Sequence, residues 1–538
     1  MRKTLRINIL DIRDGNVHIA GVLFNFHAGS EVIKAADEKG SSVEICPVRA
    51  PALDTAADSS KPAREAFFYE LSLPLHAGAS YRFLCTQKGS DSVLTLKFGK
   101  LSRLTNIEGS FFIAGNYAVC SSGDSIKVFS AGILTRPKLS RRWEHSIMRE
   151  ASPDIMKLRS EAMALKKKSK PIWLISDRSD SAGDNGEALF EYLMNDPNET
   201  HAKDRYDIRF VISSSSPDLE RVMKTGPVVE AGSETHRLLY AASSMVISSA
   251  ADEWIRNPLA EKRKYFCDFL DTRFVFLQHG VIKDDLSGWL HKAKKNFDIF
   301  ITSSPAEWRS VCEGNYGYDS SVVKLTGLAR FDKLNDSSEK KISILPTWRK
   351  YAASDIIKGS SERPYSETFR DTEYFRFYNE LINDPRLTGA MKEHGYRGVF
   401  YLHPNHMKQG RDFTGNDTIS VWDDIVPFNR VFCESSLLVT DFSSVAIDFA
   451  YLGKPVVYTQ FDKEKFFSTH SYVQGYYDYE RDGFGPVCYD LDSAVDTIVD
   501  IIKNGCAEPD TYRERVDEFF AFRDRSNCHR IYEELLKL

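Results

Sequence analysis

The residues best suited to chemistry in this 538-residue chain form four short polar clusters, each placed directly after an apolar run. The clusters are Gln278-His279-Gly280, Pro346-Thr347-Trp348-Arg349, His403-Pro404-Asn405-His406 and Asp441-Phe442-Ser443-Ser444. A histidine that titrates near neutrality accepts a proton from an alcohol, and a guanidinium matches the oxygens of a phosphate. Together these residues indicate phosphoryl transfer or nucleotide-sugar transfer.

The fourth cluster shows how these residues are positioned. It lies between an unbroken apolar run at 437–440 and a helical stretch that ends near Gly453, with a second apolar strand at 456–458. This pattern predicts a βαβ unit, and in open α/β sheets ligands bind at the carboxyl ends of the strands. The alternative is an ordinary capped helix without a ligand. Four clusters at the same topological position favour a binding cleft, although a lone histidine is usually structural.

Strands alternate with helices from residue 171 onward, which predicts parallel sheets covered by helices on both faces. One series occupies 171–335 and a second occupies 336–538. Two such sheets facing a cleft make the GT-B architecture. We expect the first domain to take the acceptor, the second to take the donor, and the helices from Tyr512 to Leu538 to cross back between them.

The first 140 residues differ in pattern, because short alternating apolar segments are separated by Gly, Asp, Ser and Pro. This spacing predicts a β-sandwich-like accessory module, in which Pro51 to Pro62 is an exposed loop. Residues 141–170 are helical and basic. A solvated linker is one interpretation of this segment, and a helix that binds an anionic membrane surface electrostatically is the other.

Bulk composition excludes several classes of function. A net charge of −5 argues against a general nucleic-acid binder, and nine scattered cysteines without a C-x-x-C pair suggest neither disulfides nor zinc. No run of about eighteen apolar residues is present, so we expect a chain that neither spans a membrane nor is secreted by that route. An ATP-type phosphate loop is also missing from the sequence.

Taken in order, the motifs resemble the CDP-glycerol glycerophosphotransferase family of teichoic acid and capsule polymerases, over roughly residues 171–505. The resemblance rests on the four clusters together with Asp177-Arg178, Gly183-Asp184-Asn185-Gly186, Gly327 to Asp332, Asp448 and Gly453-Lys454-Pro455. Many teichoic acid members have Trp where Gln278 stands and Pro where Ala329 stands. The resemblance implies a GT-B fold and the transfer of a polyol phosphate from a CDP-polyol to an acceptor hydroxyl, with release of CMP.

The resemblance also implies roles for individual residues. It makes His279 the base, His403 a second acid or phosphate contact, and Arg349 a cation on the diphosphate. It implies substrate-binding parts for the following residues: Asn185, Gln278, Gly280, Arg330, Thr347, Asp441, Ser443, Ser444 and Asp448. No metal is required, although Asp284 and Asp285 are placed to bind a divalent cation if they are not simply solvated.

The implied partners are a CDP-polyol donor, a lipid-linked or polymer acceptor and an anionic membrane surface, with no nucleic acid. The implied location is the cytoplasm, at the inner face of the cell membrane. Glycerol and ribitol remain open as the polyol, as do teichoic acid and capsule as the product. Two other functions also remain open: a GT-B nucleotide-sugar glycosyltransferase or 2-epimerase, and a non-catalytic polysaccharide-binding protein.

Overall fold

The computed structural model describes residues 4–13, 15–24, 26–27, 29–50, 65–133, 135–355, 363–422, 428–469 and 473–538. The loop predicted from Pro51 to Pro62 lies outside these residues.

The N-terminal part of the chain forms two β-sheets packed face to face. Their strands are β1 (Thr4–Arg13), β2 (Asn16–Phe24), β3 (Glu31–Asp37), β4 (Ser42–Ile45), β5 (Val48–Arg49), β6 (Ala66–Pro74), β7 (Ser80–Gln87), β8 (Ser90–Val93), β9 (Thr95–Phe98), β10 (Phe111–Ala114), β11 (Tyr117–Ser122) and β12 (Ser125–Ser130). One sheet has the order β5-β6-β2-β1-β9, and the other has the order β10-β11-β12-β7-β3-β4 with β8 beside β7. Apolar residues of both sheets, among them Ile7 and Phe83, share one core, so the predicted all-β module is confirmed.

The basic segment at 141–170 forms two helices, α1 (Thr135–Met148) and α2 (Pro153–Lys168). Trp143 of α1 and Ala162 of α2 are buried in the same core as the strands that follow. Arg159 is 4% exposed and makes a two-pronged ion pair with Asp268 at 2.6 and 2.9 Å. The segment is therefore packed against the first α/β domain, which differs from the solvated linker expected as one interpretation.

The first α/β domain contains seven parallel strands in the order β15-β14-β13-β16-β17-β18-β19. They are β13 (Ile172–Ser176), β14 (Asp207–Ile212), β15 (Val228–Glu230), β16 (Met245–Ser248), β17 (Arg273–Phe276), β18 (Ile299–Thr302) and β19 (Val323–Leu325). The helices are α3 (Asn185–Asn195), α4 (Ala202–Arg205), α5 (Leu219–Thr225), α6 (Glu234–Ala242), α7 (Glu253–Arg256), α8 (Ser287–Leu290), α9 (Lys292–Lys295) and α10 (Pro305–Glu313), with 3₁₀ turns at Ala260–Tyr265 and Ala329–Lys333. The strand order reverses between β13 and β16, which is where open α/β sheets bind ligands.

The second α/β domain repeats this topology with six parallel strands in the order β22-β21-β20-β23-β24-β25. They are β20 (Lys341–Ile344), β21 (Arg397–Tyr401), β22 (Ile419–Trp422), β23 (Leu437–Thr440), β24 (Val456–Thr459) and β25 (Val487–Cys488). The helices are α11 (Glu373–Asn383), α12 (Pro385–His394), α13 (Phe428–Glu434), α14 (Val445–Ala450), α15 (Lys463–Thr469), α16 (Tyr479–Asp482), α17 (Leu491–Lys503), α18 (Asp510–Phe519) and α19 (Asn527–Leu535), with 3₁₀ turns at Lys350–Ala352, Phe369–Asp371 and Pro404–Asp412. Two such domains confirm the GT-B class.

The last helix, α19, packs against the first α/β domain although the chain reaches it from the second. The carboxylate of Asp332 accepts hydrogen bonds from the backbone N–H groups of Asn527 and Cys528, at 3.0 and 2.7 Å. Tyr192 on α3 forms a hydrogen bond with His529 at 2.9 Å. These contacts tie the two domains together at one end of the cleft.

Candidate active site

His279 lies at the carboxyl edge of the first sheet, three residues after the end of β17. Its side chain is 61% exposed, and its Nδ1 forms a short hydrogen bond with a carboxylate oxygen of Asp184. Its Nε2 lies 2.6 Å from a guanidinium nitrogen of Arg178. Because arginine only donates, Nε2 must be the acceptor and Nδ1 must carry the hydrogen. This tautomer places a free-base lone pair on Nε2, as a general base requires.

Asp184, which holds His279, is the residue directly before helix α3. Its own backbone N–H donates to the buried carboxylate of Asp177 at 3.0 Å, and Asp177 also accepts from Gly186 at 2.7 Å. A side chain at position 186 would place a Cβ 2.4 Å from the carbonyl oxygen of Ser176, so only glycine lets α3 start this close to β13. The helix start is thereby fixed, and with it the aspartate beside the histidine.

The pKa values of the two carboxyl groups at this helix start are shifted in opposite directions by their surroundings. Burial, reinforced by the charge of Asp184, raises the pKa of Asp177 to about 6. Burial also opposes ionisation of Asp184, but the charge of Arg330 and the hydrogen bonds from His279 and Arg330 outweigh it and lower its pKa to about 2. Asp184 is therefore ionised near neutrality, and its carboxylate accepts the hydrogen on Nδ1 of His279.

Arg330 joins the two α/β domains at the histidine. Its Nε and Nη2 donate to the two oxygens of Asp448 on α14, at 2.6 and 2.9 Å, while its Nη1 donates to Asp184 at 2.5 Å. The same Nη1 donates to the backbone carbonyl of His279 at 2.6 Å. The Arg330 and Asp448 side chains are 18% and 4% exposed, so the bridge is largely desolvated. One guanidinium therefore links the two domains and at the same time holds the His279–Asp184 pair.

Asn185 and Gln278 support this arrangement from inside the first domain. Asn185 is buried, accepts from the backbone N–H of Arg330 at 3.0 Å and donates to the carbonyl of Gln278 at 2.9 Å. Gln278 has a positive φ of 67° and a buried side chain that donates to Glu307 at 3.0 Å. Both side chains face the protein interior, whereas the sequence interpretation gave them contacts with substrate.

Gly280 faces the second domain across the cleft. A Cβ built at Gly280 would lie 3.0 Å from the hydroxyl oxygen of Ser444, so the two turns are close enough that no larger residue fits without a shift. Ser443 and Ser444 are partly exposed at the start of α14, a helix of only six residues. The hydroxyl of Ser443 accepts from the backbone N–H of Val445 at 3.4 Å.

Arg349 is placed differently from the sequence interpretation, which gave it the diphosphate. Its side chain is fully buried, with Nε and Nη2 donating to Asp462 at 2.6 and 2.9 Å and Nη1 lying 2.8 Å from Asp441. Nη1 also donates to the carbonyl of Thr347 at 2.7 Å. Although burial opposes it, these two carboxylates raise the pKa of Arg349 above its usual range. The guanidinium donors of Arg349 are therefore taken up by partners inside the second domain. There Arg349 shapes the wall of the cleft.

Asp441 and Thr347 belong to the same buried network at the switch point between β20 and β23. Asp441 is fully buried and accepts from the backbone N–H groups of Thr347 and Phe442, at 2.8 and 2.6 Å. Its other oxygen accepts from Tyr378 at 3.1 Å. Asp441 thus holds the two turns together, and its oxygens are engaged by protein donors.

His403 directly precedes the 3₁₀ turn after β21 and caps it, because its Nδ1 accepts from the backbone N–H of Asn405 at 3.1 Å. Its ring is partly exposed, 6.4 Å from the indole of Trp348 between centroids. The neighbouring His406 is buried and accepts from the backbone N–H of Arg349 at 3.0 Å. The first histidine therefore reaches the surface of the second domain, and the second positions the Arg349 turn.

Three residues were missed as site members by the sequence analysis. Asp184 and Arg178 stood in a recognised motif, but an aspartate before a helix is equally typical of a plain cap. Asp462 follows β24, and no pattern in the sequence links it to Arg349. Only the fold brings these groups to the strand ends that carry the clusters.

The Asp284-Asp285 pair was the sequence candidate for a divalent cation. Asp284 accepts from the ammonium of Lys283 at 2.5 Å, and Asp285 accepts from the backbone N–H of Ser287 at 2.8 Å. In the part of the chain that the structure describes, no group of three or more His, Cys, Asp or Glu residues is placed to hold a metal. Likewise, none of the described helices combines the length and apolar character that crossing a membrane requires.

Two Rossmann-like domains that meet beside a histidine–aspartate pair define a GT-B protein with a candidate general base. Comparison with known sequences gives the family: the sequence model of the CDP-Glycerol:Poly(glycerophosphate) glycerophosphotransferases matches residues 157–537, and the chain belongs to this family. Among known proteins, it is 41% identical over 370 residues to the minor teichoic acid biosynthesis protein GgaB of Bacillus subtilis, which covers 69% of this chain and 40% of GgaB. It therefore spans less than half the length of that relative.

Other relatives are more distant. The teichoic acid poly(ribitol-phosphate) polymerase of Bacillus spizizenii is 23% identical over 250 residues, which covers 46% of this chain and 38% of that protein. A histidine-to-alanine variant of the wall teichoic acid polymerase TagF superposes with a TM-score of 0.50 at 16% identity, covering 76% of this chain and 98% of that chain. This likeness supports the GT-B fold.

Proposed function

We propose that this protein transfers a polyol phosphate from a CDP-polyol to an acceptor hydroxyl and releases CMP, in the synthesis of a teichoic acid or a capsular polymer. Membership of the glycerophosphotransferase family supports the reaction class. The observation that carries the proposal is the short hydrogen bond from His279 Nδ1 to Asp184, which leaves Nε2 as the acceptor nitrogen of an exposed side chain at the strand ends where the two domains meet.

In the proposed step, the acceptor hydroxyl takes the place of Arg178 at Nε2 of His279. Its oxygen attacks the phosphorus that carries the polyol, and its proton passes to Nε2. The bond from this phosphorus to the oxygen shared with CMP breaks, and CMP leaves with that oxygen. Asp184 stabilises the imidazolium that forms, because its carboxylate accepts the hydrogen on Nδ1.

The charge on the transferring phosphate requires donors that face the cleft. Arg349 is buried, so we assign this part to the exposed guanidinium of Arg178, which lies 2.6 Å from the base. Ser443 and Ser444 lie across the narrow gap at Gly280 and are partly exposed, which suits them to donate to phosphate oxygens. His403 is a further candidate for the acid or a phosphate contact, from the second domain.

Arg330 makes the reaction depend on closure of the two domains. Its bridge to Asp448 and Asp184 is complete only when the domains are together, and the same contacts orient His279. Closure also excludes water, which strengthens each charge interaction in the cleft. We assign Arg330, Asn185 and Gln278 to positioning the histidine, and no metal is needed for these steps.

The donor polyol is glycerol or ribitol in this proposal. The family description supports CDP-glycerol, while one relative named above is a poly(ribitol-phosphate) polymerase. We propose a lipid-linked or polymer acceptor and a cytoplasmic location at the inner face of the membrane. Exposed basic residues suited to an anionic surface lie on and after α1 and α2: Arg141, Arg142, Arg149, Lys167, Lys168 and Lys170.

The deciding experiment is incubation of the protein with acceptor and a panel of CDP-glycerol, CDP-ribitol and UDP-sugars. We expect CMP release that requires a CDP-polyol and acceptor together. Release of UDP from a UDP-sugar would instead support the glycosyltransferase or epimerase alternative. Binding of polymer without release of any nucleotide would support the non-catalytic alternative.

A further inference from the structure

A cavity of about 300 Å³ lies between the N-terminal β-module and the first α/β domain. One wall is the loop after β9, at 98–107, and the other is the 3₁₀ turn Ala260–Tyr265 with the residues that follow it. Leu270, at the cavity wall, precedes the amino end of β17, whereas His279 follows its carboxyl end. The cavity is therefore separate from the candidate active site, at a domain junction of the kind where small-molecule sites occur.

The cavity wall carries an excess of positive charge. Four cationic side chains line it, against the two carboxylates of Glu150 and Glu261. The cationic residues are Lys100, Arg103, Arg263 and Lys264. This excess stands out in a chain whose net charge is −5, and it favours an anionic occupant.

The two arginines of the cavity wall have guanidinium donors that an anion can use. Arg263 donates to the neutral hydroxyl of Tyr240 at 2.6 Å, and no ion pair joins it to a carboxylate among the described residues. The guanidinium of Arg103 lies 4.3 Å from the ring centroid of Phe112, and its Nη1 lies 3.6 Å from Asp11, which is longer than a hydrogen bond. Forked donors of this kind match the oxygens of a phosphate.

Each of the two lysines makes an ion pair at the surface, and the ammonium of Lys264 also lies 4.8 Å from the ring centroid of Tyr265. Lys100 lies 3.0 Å from Glu261, with side chains 56% and 82% exposed, and Lys264 lies 3.6 Å from Glu150. Exposed ion pairs are weak, so an entering anion of higher charge competes for both ammonium groups.

Hydroxyl groups line the same cavity. Ser102 accepts from the backbone N–H of Leu104 at 3.2 Å, and Thr105 accepts from that of Ile107 at 3.3 Å. Each hydroxyl thus acts as an acceptor here and keeps a hydrogen to donate. Such hydroxyl groups form hydrogen bonds with the hydroxyls of a polyol that lie next to its phosphate.

We propose that this cavity is a second binding site, which takes the phosphate ester of a small polyol. The phosphate lies between Arg103 and Arg263, with Lys100 and Lys264 at the rim, and the polyol contacts Ser102 and Thr105. Two sources supply this chemistry, an internal unit of a polyol-phosphate polymer and a free polyol phosphate. The polyol part of the assignment rests on the proposed function, whereas the anion part rests on the charges of the cavity alone.

The test is calorimetric titration of the full chain, without donor, so that binding is read independently of turnover. The probes are oligo(glycerol phosphate), glycerol 3-phosphate and inorganic phosphate. Arg263→Gln should weaken binding of both esters at least about tenfold, the scale for losing a charged hydrogen bond. Glu261→Gln should strengthen binding, because it frees Lys100. The matched control is Lys39→Gln, at an exposed lysine elsewhere on the β-module, and it should leave the affinity unchanged.

Tighter binding of the oligomer than of glycerol 3-phosphate identifies the polymer as the source, and the reverse order identifies the free ester. Equal affinity for inorganic phosphate overturns the polyol assignment. Unchanged binding in Arg263→Gln, or weaker binding in Glu261→Gln, overturns the site itself. Arg103→Gln is not used as the main variant because Arg103 also packs against Phe112. Since no step involves CMP release, a failure here is distinguishable from a failure of the proposed reaction.

Discussion

Asp448→Asn is the substitution that most directly tests whether the bridge between the two domains sets up the active site. In the wild-type protein, Asp448 accepts from Arg330 at 2.6 and 2.9 Å, and both side chains are largely buried. An asparagine keeps the shape but offers one acceptor and no charge. Removing one partner of a buried ion pair costs about 3–5 kcal/mol. Because Arg330 keeps Asp184, we expect the lower end, about 3 kcal/mol.

This cost falls on the closed arrangement of the domains, since the pair joins one domain to the other. If closure is needed for the transfer step, a loss of about 3 kcal/mol lowers kcat/KM about a hundredfold. The assay is kcat/KM for CMP release from the CDP-polyol, together with the radius of gyration from solution X-ray scattering. We expect a larger radius in the variant, and unchanged secondary structure.

The matched control is Glu434→Gln, which removes a partly buried ion pair with Lys341 within the second domain, together with an exposed one to Arg430. Lys341 and Glu434 lie 3.1 Å apart, with side chains 11% and 20% exposed. The control should lower the free energy of unfolding but leave kcat/KM within about threefold. Equal losses of kcat/KM in Asp448→Asn and Glu434→Gln, or full activity of Asp448→Asn, would refute the role given to the bridge.

Three further predictions concern stability and location. Arg349→Met should lower the free energy of unfolding by about 3–5 kcal/mol, because it strands two buried carboxylates; denaturation with urea that shows no loss would contradict the buried network. Burial lowers the pKa of His236 to about 4 from 6.5, so the stability it contributes is complete above pH 6.5 and is lost as the pH falls towards 4, by about 3 kcal/mol. His236→Gln should flatten this slope in pH-dependent unfolding, and an unchanged slope would remove His236 as its cause. Replacing Lys167, Lys168 and Lys170 with Gln should reduce sedimentation with anionic vesicles at low salt, and binding insensitive to both salt and these changes would exclude an electrostatic footing.

Most strands of the two α/β domains could be predicted because each contains a short apolar run. β13 and β23 are buried along their entire length, and a polar residue occurs only at the last position of each, Ser176 and Thr440. β15 and β22 were not predicted. β15 has only three residues, and β22 lies at a sheet edge with a mixed burial pattern, so neither shows the continuous apolar signal.

The location of the candidate site could be predicted from the sequence, but the directions of its side chains could not. Each polar cluster follows an apolar run, and this pattern predicts its place at the carboxyl end of a strand. Whether Arg349 faces the cleft or the interior is decided by Asp462, which is 113 residues away along the chain and belongs to another strand end. The same holds for Asp184, whose partner His279 is 95 residues away. Such pairings are tertiary contacts, and single-sequence patterns report local structure.

We expect His279 to be the base and Asp184 to hold it in the active tautomer. The measurement is the rate of CMP release at saturating CDP-polyol and acceptor for His279→Ala, Asp184→Asn and the double variant. We predict a loss of at least about a hundredfold in each single variant, and a double variant no slower than His279→Ala, because the two residues act as one unit. Near-normal CMP release by His279→Ala, or losses that simply multiply in the double variant, would contradict the account.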